Sequence, residues 1–277
     1  MDASGALWRD LPWRHTRDPW LVLVSEVMLQ QTQAGRVVGP YRMFVDRYPT
    51  PAACAEAGSA AVVRAWAGLG YNRRAVNLHQ AAVAVVERHG GVVPGDLGSL
   101  RALPGVGEYT ARAVLAFAYE MPVGVVDTNV ARVLARAVAG RPLNPGAAQR
   151  LADSLVAPEE PWRFNQALFD LGAQVCTAQR PRCGACPLRR RCRWASAGSG
   201  AGDPAARDRR QSAFDGSDRQ GRGRLVAAMR HAPVPADPQT LADAAGWPGD
   251  PARARRAAEA LVADGIARWA GASLRLA

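Results

Sequence analysis

The sequence predicts an all-α protein. Apolar residues recur at helical spacing over most of the chain, no period-two alternation persists, and turns marked by Gly and Pro separate segments of helix length. A small hairpin close to the C-terminus is the one exception. The 277 residues, 48% of them hydrophobic, suffice for one large or two to three small domains with ample core. The formal net charge of +11 comes entirely from arginine, since the chain has no lysine. That excess points to a polyanionic partner, of which nucleic acid fits best, and it excludes Schiff-base chemistry on a side-chain amine. No long apolar run or signal-peptide pattern opens the chain, so a cytoplasmic, nucleoid-associated protein without membrane segments is expected. Five cysteines in a reducing compartment argue for a metal site rather than disulfides.

The elements follow in order. The opening DLPWRHTRDPW is rich in aromatics, prolines and arginines. A helix is expected over Trp20–Gln30, with Glu26 inside the apolar run LVLVSEVML on a row that faces inward. Residues 36–100 read as amphipathic helices between turns at 48–51, 68–70 and 90–95. The stretch LPGVGEYTARAVLAFAYEMPVGVVDTNV, 103–130, then organises the chain. Pro104 ends one helix, and Gly105 and Gly107 permit a tight turn into the next, whose opening N–H groups offer an anion site. Asp127 follows the apolar run Val123–Val126, where it can cap the helix Val130–Ala139 and also serve in catalysis. Cys54 lies alone in an Ala-rich helical segment and reads as a core residue.

Near residue 176 a cysteine series begins: Cys176, Cys183, Cys186 and Cys192. Four thiolates over so short a span suit zinc or an iron–sulfur cluster. Six arginines (Arg180, Arg182, Arg189, Arg190, Arg191 and Arg193) crowd this loop with no acid among them, as a phosphate-binding surface would. Residues 195–215 read as an Ala/Gly/Ser-rich and then Arg-rich linker. Beyond it, helices over 222–230, 237–245 and 251–264 and a hairpin around Gly271 suggest a winged-helix-like module.

LPGVGEYTA resembles the hairpin of the helix-hairpin-helix DNA glycosylases, and VDTNVARV resembles the segment carrying their catalytic aspartate, here Asp127. The resemblance covers roughly residues 7–194. It implies a six-helix barrel over 18–128 and an iron–sulfur domain from 1–17 and 129–194; the linker 195–215 and the module 216–277 lie beyond it. The full cysteine spacing, with LGAQVCT before it and PRCGACPL within it, resembles the [4Fe–4S] loop of these enzymes and places zinc second. LPWR followed by SEVMLQQTQ is similar to the adenine-specific branch. This likeness implies Leu11, Trp13 and Arg14 against an extruded base, and Glu26 as the acid that protonates it, since burial disfavours the carboxylate. It further implies a wedge from Gln30 or Gln31, intercalation by Tyr71 beside the opposite base, and an adenine contact from Gln166. The family text has a second tyrosine where this chain has Asn72.

Tyr109 stands where strand-cleaving relatives resembling endonuclease III carry a lysine. The resemblance therefore implies base excision without lysine-dependent lyase activity, with Tyr109 assisting Asp127 at the cationic sugar. The expected substrate is duplex DNA with adenine opposite 8-oxoguanine or guanine, and the expected state is a monomer. Thymine excision from T:G and a non-catalytic iron–sulfur regulator are the alternatives. About 60 C-terminal residues in this pattern cannot form the β-rich, Nudix-like domain with which many adenine glycosylases end.

Overall fold

The computed structural model describes residues 7–198, 202–206 and 213–277. The expected linker 195–215 lies partly outside the described residues, at 199–201 and 207–212. Helices dominate, as expected. In order they are α1 (Pro19–Leu29), α2 (Ala34–Arg47), α3 (Pro51–Glu56), α4 (Ser59–Ala65), α5 (Arg73–His89), α6 (Leu97–Arg101), α7 (Glu108–Phe117) and α8 (Thr128–Val133). There follow α9 (Pro145–Leu155), α10 (Pro161–Gln174), the short α11 (Arg193–Ser196), α12 (Asp218–His231), α13 (Pro238–Ala245) and α14 (Pro251–Ala263).

Local chemistry sets many of the helix starts. Thr50, Asn144, Asp237 and Asp250 each accept a backbone N–H from the first turn, and each is followed by a proline at the first helical position. The side-chain oxygen satisfies an orphan donor, and proline contributes a preset φ where its missing N–H costs nothing.

The chain folds into two compact units. One comprises Leu23–Pro94, Ser99–Val106 and Arg210–Ala277; the other comprises Met1–Val22, Gly95–Gly98 and Gly107–Arg209. The core of the first is built on Leu23, Met28, Phe44, Trp66 and Leu78, all essentially inaccessible. Phe44 meets Trp66 edge-on at 5.9 Å and Tyr48 at 5.0 Å between ring centroids. Burying aromatic side chains of this size contributes on the order of 2–3 kcal/mol each. Cys54 is fully buried there, and burial pushes its thiol up to about 12, which leaves it inert.

The same unit holds the C-terminal module. Its order is α12, β1 (Val234–Pro235), α13, α14, β2 (Ala267–Ala270) and β3 (Ser273–Leu276). The sheet is antiparallel in the order β1-β3-β2, with Val234 opposite Leu274 and Trp269 opposite the same residue on the other side. This is a winged-helix-like arrangement. The sequence missed β1, because two residues are too few to show an alternation.

In the other unit, α8 continues into a π-helical turn over Leu134–Ala139, where the sequence led us to expect one regular helix. Val130, Leu134 and Ala152 form one buried cluster, and Val133, Leu171 and Val175 another, on which Cys176 and Cys186 also pack.

Candidate active site and cysteine loop

Glu26 sits on α1, whose residues from Val22 to Met28 are all buried; Glu26 itself is 4% exposed. Asp18 starts that helix by accepting from the N–H groups of Trp20 (2.8 Å) and Leu21 (3.1 Å). An acid held in an otherwise apolar helix is an expensive placement.

Gln30 and the exposed Gln31 follow α1, and Gln31 adopts a left-handed φ of 58°. Tyr71, 44% exposed, does the same with φ 45°. Non-glycine residues in this region carry strain of roughly 1–3 kcal/mol and cluster at functional sites. One residue holds both turns. Arg74, on α5 and buried, donates to the carbonyl oxygens of Val27 (2.9 Å), Met28 (2.8 Å) and Gln30 (2.6 Å). Its other nitrogen donates to Thr32 Oγ1 (3.2 Å) and to the carbonyls of Leu69 (3.1 Å) and Gly70 (3.2 Å). Burial lowers the guanidinium to about 10, so it stays charged at neutral pH. Sequence reasoning missed Arg74, because an arginine in an amphipathic helix reads as surface.

Asp127 caps α8. Its Oδ1 accepts from the Val130 N–H at 2.7 Å and its Oδ2 from Asn129 Nδ2 at 2.8 Å, while Asn129 Oδ1 accepts from Arg132 at 2.8 Å. The cap fixes the orientation of the carboxylate. Tyr109 lies half-buried in the first turn of α7.

The N-terminal loop carries a correction. Arg14 was expected to present its guanidinium to a base, yet it is 4% exposed and bonded to both carboxylate oxygens of Asp170 at 2.9 Å. Arg9 adds a third bond to that carboxylate at 2.6 Å, and the Trp8 ring lies 4.8 Å from the Arg14 guanidinium carbon. A desolvated arginine needs such a partner, so Arg14 braces the loop instead. Trp13 is buried beside it, Leu11 is half-buried, and Gln166 is buried on α10. Asp170, one helical turn beyond Gln166, is the partner that the sequence did not reveal.

At the hairpin the two glycines differ. Gly105 has φ 75°, and a Cβ there would come within 2.6 Å of Asn77 Cβ. Gly107 departs from expectation: it caps α7 in an extended conformation that any residue adopts, with open space where a Cβ would sit. Only Gly105 is required by backbone geometry.

Cys176, Cys183, Cys186 and Cys192 line one cavity, together with Val133, Leu188 and Trp194. Burial and the neighbouring sulfurs raise the Cys186 thiol, a sign that the four groups share a confined space. Arg136 braces the loop from the π-helical turn, donating to the carbonyls of Thr177 (2.7 Å) and Ala178 (2.9 Å) and reaching Cys176 Sγ at 3.6 Å. All six arginines of the loop are exposed. Four soft donors in an apolar-walled cavity fit an iron–sulfur cluster, which when bound ties the loop together and lends it the cluster's redox couple.

Residues 24–158 match the family model of the HhH-GPD superfamily base excision DNA repair proteins, and residues 176–192 match the iron–sulfur binding domain of endonuclease III. The chain is 47% identical to an adenine DNA glycosylase of Mycolicibacterium smegmatis over 262 residues, covering 93% of this chain and 87% of that one. It is 45% identical to human adenine DNA glycosylase over 199 residues, 67% of this chain and 36% of the human one. Among solved structures, a thermostable thymine-DNA glycosylase superposes with a TM-score of 0.65 at 33% identity, covering 69% of this chain and 90% of that one. A trapped endonuclease III–DNA complex gives 0.59 at 25% identity, with coverages of 70% and 94%. The chain belongs to the adenine DNA glycosylase family, and its cysteine loop carries a [4Fe–4S] cluster. Among the described residues no helix is long and apolar enough to cross a membrane.

Proposed function

We propose that this protein is a monofunctional glycosylase that removes adenine paired with 8-oxoguanine or guanine and leaves an abasic site. The buried Glu26 carries the proposal, because an acid fixed inside an apolar helix is suited to give a proton to a departing base. Exposed arginines of the cysteine loop and the N–H groups opening α7 grip phosphates. Gln31 and Tyr71 enter the stack as adenosine leaves it, and Gln30 follows at the same turn. Leu11, Trp13 and Gln166 line the base pocket, braced by Arg14. Glu26 protonates the adenine, the glycosidic bond breaks, and the Asp127 carboxylate stabilises the oxocarbenium-like sugar with help from Tyr109. Water then adds at the sugar. Two carboxyl groups, one donating a proton and one opposing positive charge, meet the needs of this chemistry, as in glycosidases. No lysine is available for a lyase step, so strand breakage should await alkali. The chain acts as a monomer in the nucleoid on this reading.

The test compares Glu26→Gln with the native protein in single-turnover assays on an A:8-oxoguanine duplex. Glu26→Gln should lose at least ~100-fold in excision rate while retaining its affinity for the duplex. Near-native turnover would remove Glu26 from its role. A second reading, thymine excision from T:G, is favoured by the likeness to the thymine-DNA glycosylase structure. A T:G duplex in the same assay separates the two.

A further inference from the structure

The turn that carries Tyr71 is poor at fixing itself. Between the end of α4 and the start of α5, Gly68, Gly70 and Tyr71 all take left-handed φ, at 81°, 66° and 45°. Glycine reaches that region freely but is not held there, and tyrosine stays in it only where the surroundings over-determine it. Arg74 supplies part of the hold from α5. It binds the carbonyls of Leu69 and Gly70, and its guanidinium carbon lies 5.6 Å from the centroid of the Tyr71 ring. The rest comes from the C-terminal module.

Three consecutive side chains meet that module. Arg219 of α12 reaches the Tyr71 hydroxyl at 3.4 Å, and Arg230 of the same helix donates to Asn72 Oδ1 at 2.9 Å. Arg73 pairs with Asp264, just past the end of α14, and Arg222 of α12 binds the same carboxylate. Asn72 occupies the N-cap position of α5, where an asparagine ordinarily accepts from its own helix. Its side chain makes no such bond and is committed to Arg230 instead. Arg230 also donates to the carbonyl of Val63, at 3.3 Å from Nε and 3.2 Å from Nη2, a group in the last turn of α4 that the helix leaves to outside donors. One guanidinium of the module therefore ties the residue after the turn to the helix before it.

We infer that the C-terminal module is a positioning element for Tyr71: Arg230, through Asn72 and Val63, and Asp264, through Arg73, hold the turn in the conformation that presents the Tyr71 ring. The inference rests on the proposed glycosylase reading, which places that ring in the DNA stack. It assigns Asn72 and Arg230 an effect on recognition of damaged duplex that is exerted through the ring and needs no DNA contact of their own.

The test uses the full chain and two duplexes of one sequence, undamaged or with a tetrahydrofuran abasic analogue opposite 8-oxoguanine, so that binding is read without catalysis. The quantity followed is the ratio of the two affinities. Asn72→Leu and Arg230→Met should each lower the preference for the abasic duplex about tenfold, close to the loss from Tyr71→Ala, since one stacked base is at stake. Asn72→Asp keeps an acceptor oxygen for Arg230 and should preserve the ratio. In the Tyr71→Ala background, Asn72→Leu and Arg230→Met should change it by less than about twofold, because the ring they act through is already gone. Each variant is assayed below its thermal transition and with native iron content; Asn72→Leu, at a half-buried position, carries the test should Arg230→Met fail to fold. Native ratios in Asn72→Leu and Arg230→Met, or equal losses with and without the Tyr71 ring, would overturn the inference and leave the glycosylase reading in place. A native ratio in Tyr71→Ala would take the ring out of the DNA stack, and the inference with it. Adenine release by the native protein is followed in parallel on a cleavable A:8-oxoguanine duplex, and its absence would sink the glycosylase reading alone, since the abasic duplex reports the positioning separately.

Discussion

Arg74 donates to the carbonyl oxygen of Gln30 at 2.6 Å, and through its other terminal nitrogen it holds the carbonyl of Gly70 at 3.2 Å. One buried cation thus fixes the turns that carry the left-handed Gln31 and Tyr71. Replacing it with methionine should cost roughly 3–5 kcal/mol, because several inward carbonyls lose a charged donor. Arg74→Lys keeps the charge but lacks the planar fork. We expect Arg74→Lys to fold, to bind undamaged duplex normally and to excise at least ~10-fold more slowly, about 1.4 kcal/mol of barrier. Stopped-flow fluorescence from 2-aminopurine in place of adenine would follow base extrusion directly, and an unchanged extrusion rate would reject the positioning role.

Asp170 and Arg14 form a buried pair that braces the N-terminal loop. Asp170→Ala leaves the Arg14 guanidinium desolvated and should destabilise the protein by roughly 3–5 kcal/mol. Thermal unfolding would register this as a fall of several degrees. Asp170→Ala combined with Arg14→Met should recover most of the loss, since no charge is then stranded. A double variant no more stable than Asp170→Ala would contradict the pairing account.

The Asp264 carboxyl links Arg73 to Arg222, and this pair holds it below the usual carboxylate range although burial pushes it upward. The folded value is depressed, so the stabilisation is present above the unfolded carboxylate value of about 4. It is lost as pH falls through the depressed folded value. Asp264→Asn should therefore lower stability at neutral pH, with the gap to wild type closing below about pH 4. Thermal midpoints across pH 3–7 would show it, and a gap constant with pH would refute the linkage.

Removing one thiolate of the cysteine loop should release the cluster and loosen the arginines it displays. Cys192→Ala should purify with little iron and bind duplex more weakly, with a shallower salt dependence as phosphate contacts are lost. Because Arg136 still ties Thr177 and Ala178 to the π-helical turn, the rest of that unit should stay folded. Full iron content with normal DNA binding would show that Cys192 is dispensable.

The helical class, the cysteine loop and the capping role of Asp127 were legible in the sequence because each rests on local spacing: helical periodicity, fixed intervals between thiols, an acid before a helix. Glu26 was placed inward by the same periodicity, and it is buried in the fold. What stayed hidden was long-range pairing. Arg14 read as a contact to the extruded base, and only the fold brings Asp170, far along the chain, to hold it. Arg74 gave no local sign of the carbonyls it gathers, and Asn72 read as a departure until Arg230 appeared beside it. Gly105 and Gly107 looked equivalent in the motif, although only one adopts a backbone that excludes other residues.

The most direct measurement is the identity of the released base. Native protein is mixed in excess with A:8-oxoguanine, A:G and T:G duplexes, free bases are quantified by chromatography, and strand integrity is read before and after alkali. The account predicts stoichiometric adenine from the first two, with strands intact until alkali is added. Thymine from T:G without adenine, or strand breaks before alkali, would contradict it.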